Sequence, residues 1–110
     1  MNLEKIVADR MQTGKIMPHE AVEMRVQLSG LYSFYSSQLE DILIRKPNAW
    51  FQIRNNGKHK SDKSADREWE TTEDGKNEIG LSMRLKRIEK MLSSLKTISD
   101  MSIIDYHHTK

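Results

Sequence analysis

A stripe of apolar residues at helical spacing places the strongest constraint on how this chain can fold. Between residues 24 and 42, apolar side chains recur at intervals of four, three, four, four and three residues. At 100° per residue these positions fall on one narrow face, which predicts an amphipathic α-helix packed along one side. The stripe consists of Met24, Leu28, Leu31, Tyr35, Leu39 and Ile42.

A second stripe of the same kind lies in the C-terminal third of the chain. Its intervals are four, three, four and three residues, and its members are Leu81, Leu85, Ile88, Leu92 and Leu95. Strand-like alternation never extends beyond a few residues. The two stripes therefore predict an all-α fold, a small helical hairpin or bundle with two long amphipathic helices.

Glycine and proline predict where the helices begin and end. Residues 3–12 fit a short helix that Gly14 interrupts, and Pro18 suits the first turn of the next helix. Pro47 disfavours helical geometry at the residue before it, so this long helix should stop or kink at Lys46. The second long segment is expected to follow the Asp74-Gly75 pair.

The length of 110 residues favours one helical domain over 1–110. Within it, the turn signal Asn55-Asn56-Gly57 opens a flexible basic linker at 55–63. Ser61 or Asp62 can cap a short helical turn after that linker. Residues 105–110 are expected to form a loose tail.

Apolar positions outside the two stripes predict association between copies of the chain. Val22, Val26 and Ile44 lie on the side of the first long helix opposite its stripe, and Ile103 and Ile104 lie near the end of the sequence. A second contact surface on one helix is typical of subunit packing. We therefore expect a homo-oligomer held together by helices.

The residue inventory gives little support to catalysis, cofactors or metals. The chain has no cysteine, no nucleophile elbow and no phosphate-binding glycine loop. The pair His107-His108 beside Asp105 is the best metal candidate, but its terminal position favours a solvated tail. No apolar run approaches the ~20 residues of a membrane span, and residues 1–12 lack the apolar core of a signal peptide. We expect a non-enzymatic cytoplasmic protein with no membrane partner, no cofactor and no metal.

Charge is strongly segregated along the chain although the total is only +2. Residues 45–63 carry six Lys or Arg against one Asp, which makes a first basic block of +5. Residues 64–78 form an acidic block of −4, and residues 79–96 form a second basic block of +4. Segregation of this kind favours a charged partner.

Aromatic residues among the cations point to single-stranded DNA as that partner. Bases stack on aromatic rings while Lys and Arg neutralise phosphates. The candidate nucleic-acid-binding residues are Arg45, Lys46, Trp50, Arg54, Lys58, Lys60, Lys63, Arg84, Arg87 and Lys90. In the alternative interpretation, Trp50, Phe51 and Ile53 close the core. The Lys and Arg side chains then belong to a basic loop that is simply exposed to solvent. Trp69 is expected to be a packing anchor, since it shares a helical face with Ala65.

Three segments of the chain carry a resemblance to a known family. Residues 61–69, 72–75 and 83–96 look like small helical phage proteins, and the order of an N-terminal helix, a basic middle and a C-terminal helix is similar to the UvsY-type recombination mediators. The resemblance implies an oligomeric factor that binds single-stranded DNA in the host cytoplasm. It also implies that the factor loads a RecA-like recombinase onto strands coated by single-strand-binding protein.

Two further functions fit the same sequence. A small helical interaction module, such as an inhibitor or adaptor of a host nuclease or other complex, would use the acidic block or exposed aromatic residues. A structural assembly protein would need only helices that oligomerise.

Overall fold

The computed structural model is built from helices. It describes residues 2–14, 16–56 and 61–108, with side chains up to Asp100, and no strand occurs within these ranges. The elements are α1 (Leu3–Thr13), α2 (Pro18–Arg54), α3 (Asp62–Thr71) and α4 (Glu73–His108). The predicted all-α class is confirmed. No helix in the described part of the chain is both long and apolar enough to cross a membrane.

The ends of α1 are set by local hydrogen bonds, and the predicted interruption at Gly14 is confirmed. The Asn2 side chain accepts a hydrogen bond from the Lys5 amide at the N-cap, at 3.3 Å. At the other end Gly14 adopts φ +67°, a left-handed conformation that glycine takes without steric cost, and its amide bonds to the Met11 carbonyl. Pro18 then opens α2.

Helix α2 runs through Pro47, so the predicted stop at Lys46 is wrong. The alternative, a kink at that position, stays a prediction. Proline removes one backbone donor and crowds the preceding turn, which disfavours a helix without forbidding it. Side chains on both sides of Pro47 are bonded to other helices of the fold: Lys46 to α4 and Trp50 to α3. These tertiary contacts hold the last two turns of α2 in place.

A one-residue corner joins α3 to α4. Of the two predicted caps, Ser61 and Asp62, it is Ser61 that caps α3, by accepting a hydrogen bond from the Ser64 amide. The hydroxyl of Thr72 accepts from the Gly75 amide at 3.0 Å and so caps α4. The long C-terminal helix thus begins at Glu73, before Asp74-Gly75 rather than after it, because Thr72 supplies the cap and an acidic first turn follows.

The chain divides into two compact units, and both α2 and α4 contribute residues to each of them. Unit 1 comprises Met1–Ser33 and Lys86–Lys110. Its buried apolar residues are Val7, Ala21, Leu28, Ile88 and Leu95. Hydrogen bonds from Tyr32 to Glu89 (2.7 Å) and from Arg25 to Ser99 (3.3 Å) join antiparallel parts of α2 and α4.

Unit 2 comprises Phe34–Leu85, and Trp69 is one of its buried residues. Trp69 is 4% exposed and packs in a core with Ile42, Ala65 and Leu85. The predicted anchor role of Trp69, on the same helical face as Ala65, is confirmed. That the two units form one folded domain stays a prediction.

Both apolar stripes point inward. Every member of the stripe on α2 is buried or half-buried, and the same holds for the stripe on α4. The amphipathic pattern therefore identified the packed sides of the two long helices. Two other predicted segments differ in part: α3 already includes Asp62 and Lys63 of the linker at 55–63, and the α4 backbone is helical through 105–108 of the tail.

Candidate functional site

The first basic block is bound to the acidic block that follows it. The clearest pair joins Arg45 on α2 to Asp74 on α4, with guanidinium-to-carboxylate distances of 3.0 and 3.2 Å. This two-point contact raises the pKa of Arg45 above its ordinary value, chiefly through the hydrogen bond to Asp74. Arg45 was predicted to bind nucleic acid, and in unit 2 its guanidinium faces a carboxylate of the same chain.

Lys46 is engaged in a tighter cluster one residue further along. Its ammonium lies 3.0 Å from Glu78 and 5.6 Å from the centre of the Trp69 ring. Glu78 also accepts a hydrogen bond from the Trp69 indole at 2.8 Å. Burial pushes the pKa of Glu78 up, but the hydrogen bonds from Lys46 and Trp69 outweigh it and hold the pKa below its ordinary value. The cluster joins α2, α3 and α4 by partly buried charge.

The C-terminal end of α2 contacts α3 through two further acids. Arg54 lies 3.0 Å from Asp62, and the Trp50 indole donates a 2.7 Å hydrogen bond to Asp66. Trp50 is half-buried, so it is neither a fully open stacking platform nor a core residue. Its observed role is to hold α3 against α2.

The remaining residues predicted in the first basic block are divided between exposed and undescribed positions. Lys63 is exposed in the first turn of α3. Lys58 and Lys60 lie outside the described residues. Of the seven predicted positions in this block, the structure therefore brings together Arg45, Lys46, Trp50 and Arg54, each with an acidic partner.

The second basic block is more open. In unit 2 the Arg84 guanidinium lies 4.8 Å from the centre of the Tyr35 ring, a cation–π contact between α4 and α2. In unit 1, Arg87 is exposed, and its guanidinium lies 3.8 Å from the buried carboxylate of Glu4. Lys86 and Lys90 are exposed on the side of α4 away from its apolar stripe. Unit 1 thus presents a cationic helix surface.

Unit 2 also has an exposed apolar surface, which we call the α2 face, formed by Leu43, Ile44, Pro47 and Phe51. Ile44 is 69% exposed and Phe51 is 61% exposed. The sequence already placed Ile44 opposite the apolar stripe, but the interpretation of Phe51 as a core residue is wrong. Phe51 lies on the same outward side of α2 as Ile44, and that spacing of seven residues could have identified it.

An open cavity of about 310 Å³ adjoins the α2 face. Its apolar walls are Leu43, Pro47 and Trp50, and its charged edges are Lys46 and Asp66. The Lys46 and Asp66 side chains already contact Glu78 and Trp50 respectively. The cavity is therefore suited to an apolar group with little charge of its own.

No metal site emerges from the part of the chain that the structure describes. Across its described side chains, no three His, Asp or Glu residues come together in a group that could hold an ion. The tail candidate formed by Asp105, His107 and His108 has side chains outside the described residues.

Comparison of the chain with protein-family models, with curated proteins and with solved structures finds no match in any of the three. The likeness to the UvsY-type mediators therefore stays a prediction.

Proposed function

We propose that the protein acts by binding rather than catalysis, as a small helical module whose partner is another protein. The observation that carries the proposal is the α2 face, where Leu43, Ile44, Pro47 and Phe51 are all exposed. Contiguous apolar residues on one helix side mark an interaction surface more often than isolated exposed ones do. A partner helix or groove would bury them.

The balance of buried and exposed apolar residues supports this proposal. Nine apolar residues are buried in the described part of the chain, whereas ten large hydrophobic residues are exposed there. Covering one Ile or Phe fully is worth about 1.5–3 kcal/mol. The side chains of Ile44 and Phe51 alone therefore offer a substantial driving force for association.

The charge arrangement points the same way. The acidic block supplies partners to Arg45, Lys46 and Arg54, so a phosphate chain would have to compete with carboxylates already in place. Within the described part of the chain, by contrast, the side chains of the α2 face stay exposed. Apolar contact at this face is therefore the better-supported mode of binding in unit 2.

Co-purification after nuclease treatment, followed by native mass spectrometry, tests the proposal. The intact chain should carry a stoichiometric protein partner, either another copy or a different chain. The Phe51→Asp variant should lose that partner, because a carboxylate would be buried in an apolar contact. Gln38→Asp changes an exposed residue on a different side of α2 and should retain it. Recovery of the protein alone, as a monomer, would reject the proposal.

A second candidate function is binding of single-stranded DNA, favoured by the exposed cations Lys86, Arg87 and Lys90 on α4 of unit 1. In this role the protein would act in the cytoplasm as a homo-oligomer, and several copies of a weak site would hold one strand. A RecA-like recombinase and single-strand-binding protein would be its further partners, as in the family it resembles. Fluorescence anisotropy with an oligonucleotide should show salt-sensitive binding, and absence of binding at low salt would exclude the role.

A further inference from the structure

Two residues of the α2 face, Leu43 and Phe51, lie at equal distances on either side of Pro47. Leu43 lies four residues before Pro47, and Phe51 lies four residues after it. Beyond them, Glu40 and Arg54 lie seven residues away on either side. At 1.5 Å per residue, Glu40 and Arg54 are each about 10 Å along the helix from Pro47.

We propose that a second copy of this chain docks on the α2 face, with the two α2 helices antiparallel and a two-fold axis near Pro47. The proposal rests on the proposed function as a protein-binding module and names the partner. In such an isologous contact, each residue meets the one at equal distance on the other side of the axis. Leu43 of each copy therefore meets Phe51 of the other, and Ile44 meets Trp50.

Charge complementarity selects this arrangement. Antiparallel pairing about Pro47 brings Glu40 of each copy to Arg54 of the other, which gives two reciprocal ion pairs at the ends of the apolar contact. Glu40 is exposed on the outward side of α2. Arg54 already bonds Asp62, but a guanidinium has five donors and can serve a second carboxylate. A parallel pairing would instead place like charges together at both ends.

The cavity beside the α2 face supplies shape complementarity. Its walls include Leu43 and Pro47, the residues that the ring of Phe51 from the second copy would approach. At about 310 Å³ the cavity can accept one aromatic ring. Each copy offers both the exposed ring and the cavity, so the contact is self-complementary and closes as a dimer.

Charge reversal tests the register directly. Glu40→Arg and Arg54→Glu each create two like-charge contacts per dimer, and each should weaken dimerisation at least ten-fold in analytical ultracentrifugation. An equimolar mixture of the two variants should dimerise as well as the unmodified protein, since both cross-pairs become attractive again. Circular dichroism verifies that Arg54→Glu, which also loses the Asp62 contact, stays helical.

A cysteine pair provides a second test, because the chain has no native cysteine. Pro47→Cys lies at the proposed axis and on the α2 face, so two copies should form a disulfide-linked dimer on mild oxidation. Ser37→Cys, ten residues from the axis on the same helix, should stay uncrosslinked. A register different from the one proposed would reverse or equalise these yields and overturn the proposal.

The outcomes separate this proposal from the proposed function. A protein that stays monomeric at high micromolar concentration, or a variant mixture that dimerises no better than its components, overturns docking of a second copy. If a Phe51-dependent complex with a different protein is then found, the proposed function stands while the second-copy proposal fails. If no protein partner is found either, both fail.

Discussion

Gly75 lies directly against the main chain of Trp69. A Cβ atom at position 75 would overlap the Trp69 carbonyl oxygen and approach the carbonyl carbon at 2.7 Å. The contact lies at the corner where α3 turns into α4, and the Thr72 amide bonds to the same carbonyl at 3.0 Å. The close approach of the two helices at this corner therefore depends on the absence of a side chain at residue 75.

Gly75→Ala should accordingly destabilise the fold. The clash is with backbone atoms, which move only if the corner opens, so we expect a loss of about 3 kcal/mol in the free energy of unfolding. Gly80→Ala is the matched control, because a Cβ there meets nothing within 4 Å and alanine favours a helix interior by about 1 kcal/mol. In urea unfolding monitored by circular dichroism, the midpoint should fall for Gly75→Ala and rise for Gly80→Ala. Equal midpoints would show that the corner tolerates a side chain.

The same corner separates the features that the sequence predicts from those that depend on tertiary contacts. The 3.6-residue period identified the buried sides of α2 and α4, and the Ser61-Asp62 pair predicted the start of α3 to within one residue, because these signals are local. The Asp74-Gly75 pair suggested a break before the last helix. Gly75 is instead required by a contact with Trp69, and no local pattern reveals such a contact.

The candidate nucleic-acid residues illustrate the same limit. Arg45 and Lys46 find carboxylates at Asp74 and Glu78, which lie about thirty residues further along the chain and become neighbours only when α2 and α4 pair. Adjacent blocks of opposite charge were visible in the sequence. The sequence did not show which cations the acidic block would pair with. That choice depends on the register between α2 and α4, and the two stripes do not specify this register.

The folded protein should become less stable in acid, because protonation of the Glu78 carboxylate removes part of its stabilisation. Its pKa is held below the ordinary 4.5, so the folded state favours the charged form more than the unfolded state does. The contribution is therefore present above about pH 4.5 and is lost as the pH falls through the lowered folded pKa. Glu78→Gln should be less stable than the unmodified protein at pH 7, with a smaller loss between pH 5 and pH 3 in thermal unfolding. Glu70→Gln, at an exposed position on α3, should reproduce the unmodified pH profile.

Pro47→Ala should stabilise α2. Alanine restores the amide that can bond the Leu43 carbonyl, and it removes the ring that crowds the preceding turn. The unfolded state of the alanine variant has more conformational freedom, which offsets part of this gain. We therefore expect the free energy of unfolding in urea to rise by about 1–2 kcal/mol. The neighbouring Asn48→Ala variant changes only helix propensity, so it should raise the free energy of unfolding by about 0.5 kcal/mol. A destabilised Pro47→Ala variant would mean that the proline ring packs more strongly than the cavity walls indicate.

The two basic blocks should differ in their contribution to any binding of single-stranded DNA. Lys86 and Lys90 are exposed on α4, so the double variant Lys86→Ala/Lys90→Ala should weaken binding and reduce the slope of log affinity against log salt by about 1.4, for two lost phosphate contacts. Arg45→Ala should leave the slope unchanged and lower thermal stability, because its guanidinium is held by Asp74. Anisotropy titrations between 50 and about 200 mM salt measure both slopes. A larger effect at Arg45 than at the lysines would mean that DNA displaces the carboxylate and that the first basic block is the interface.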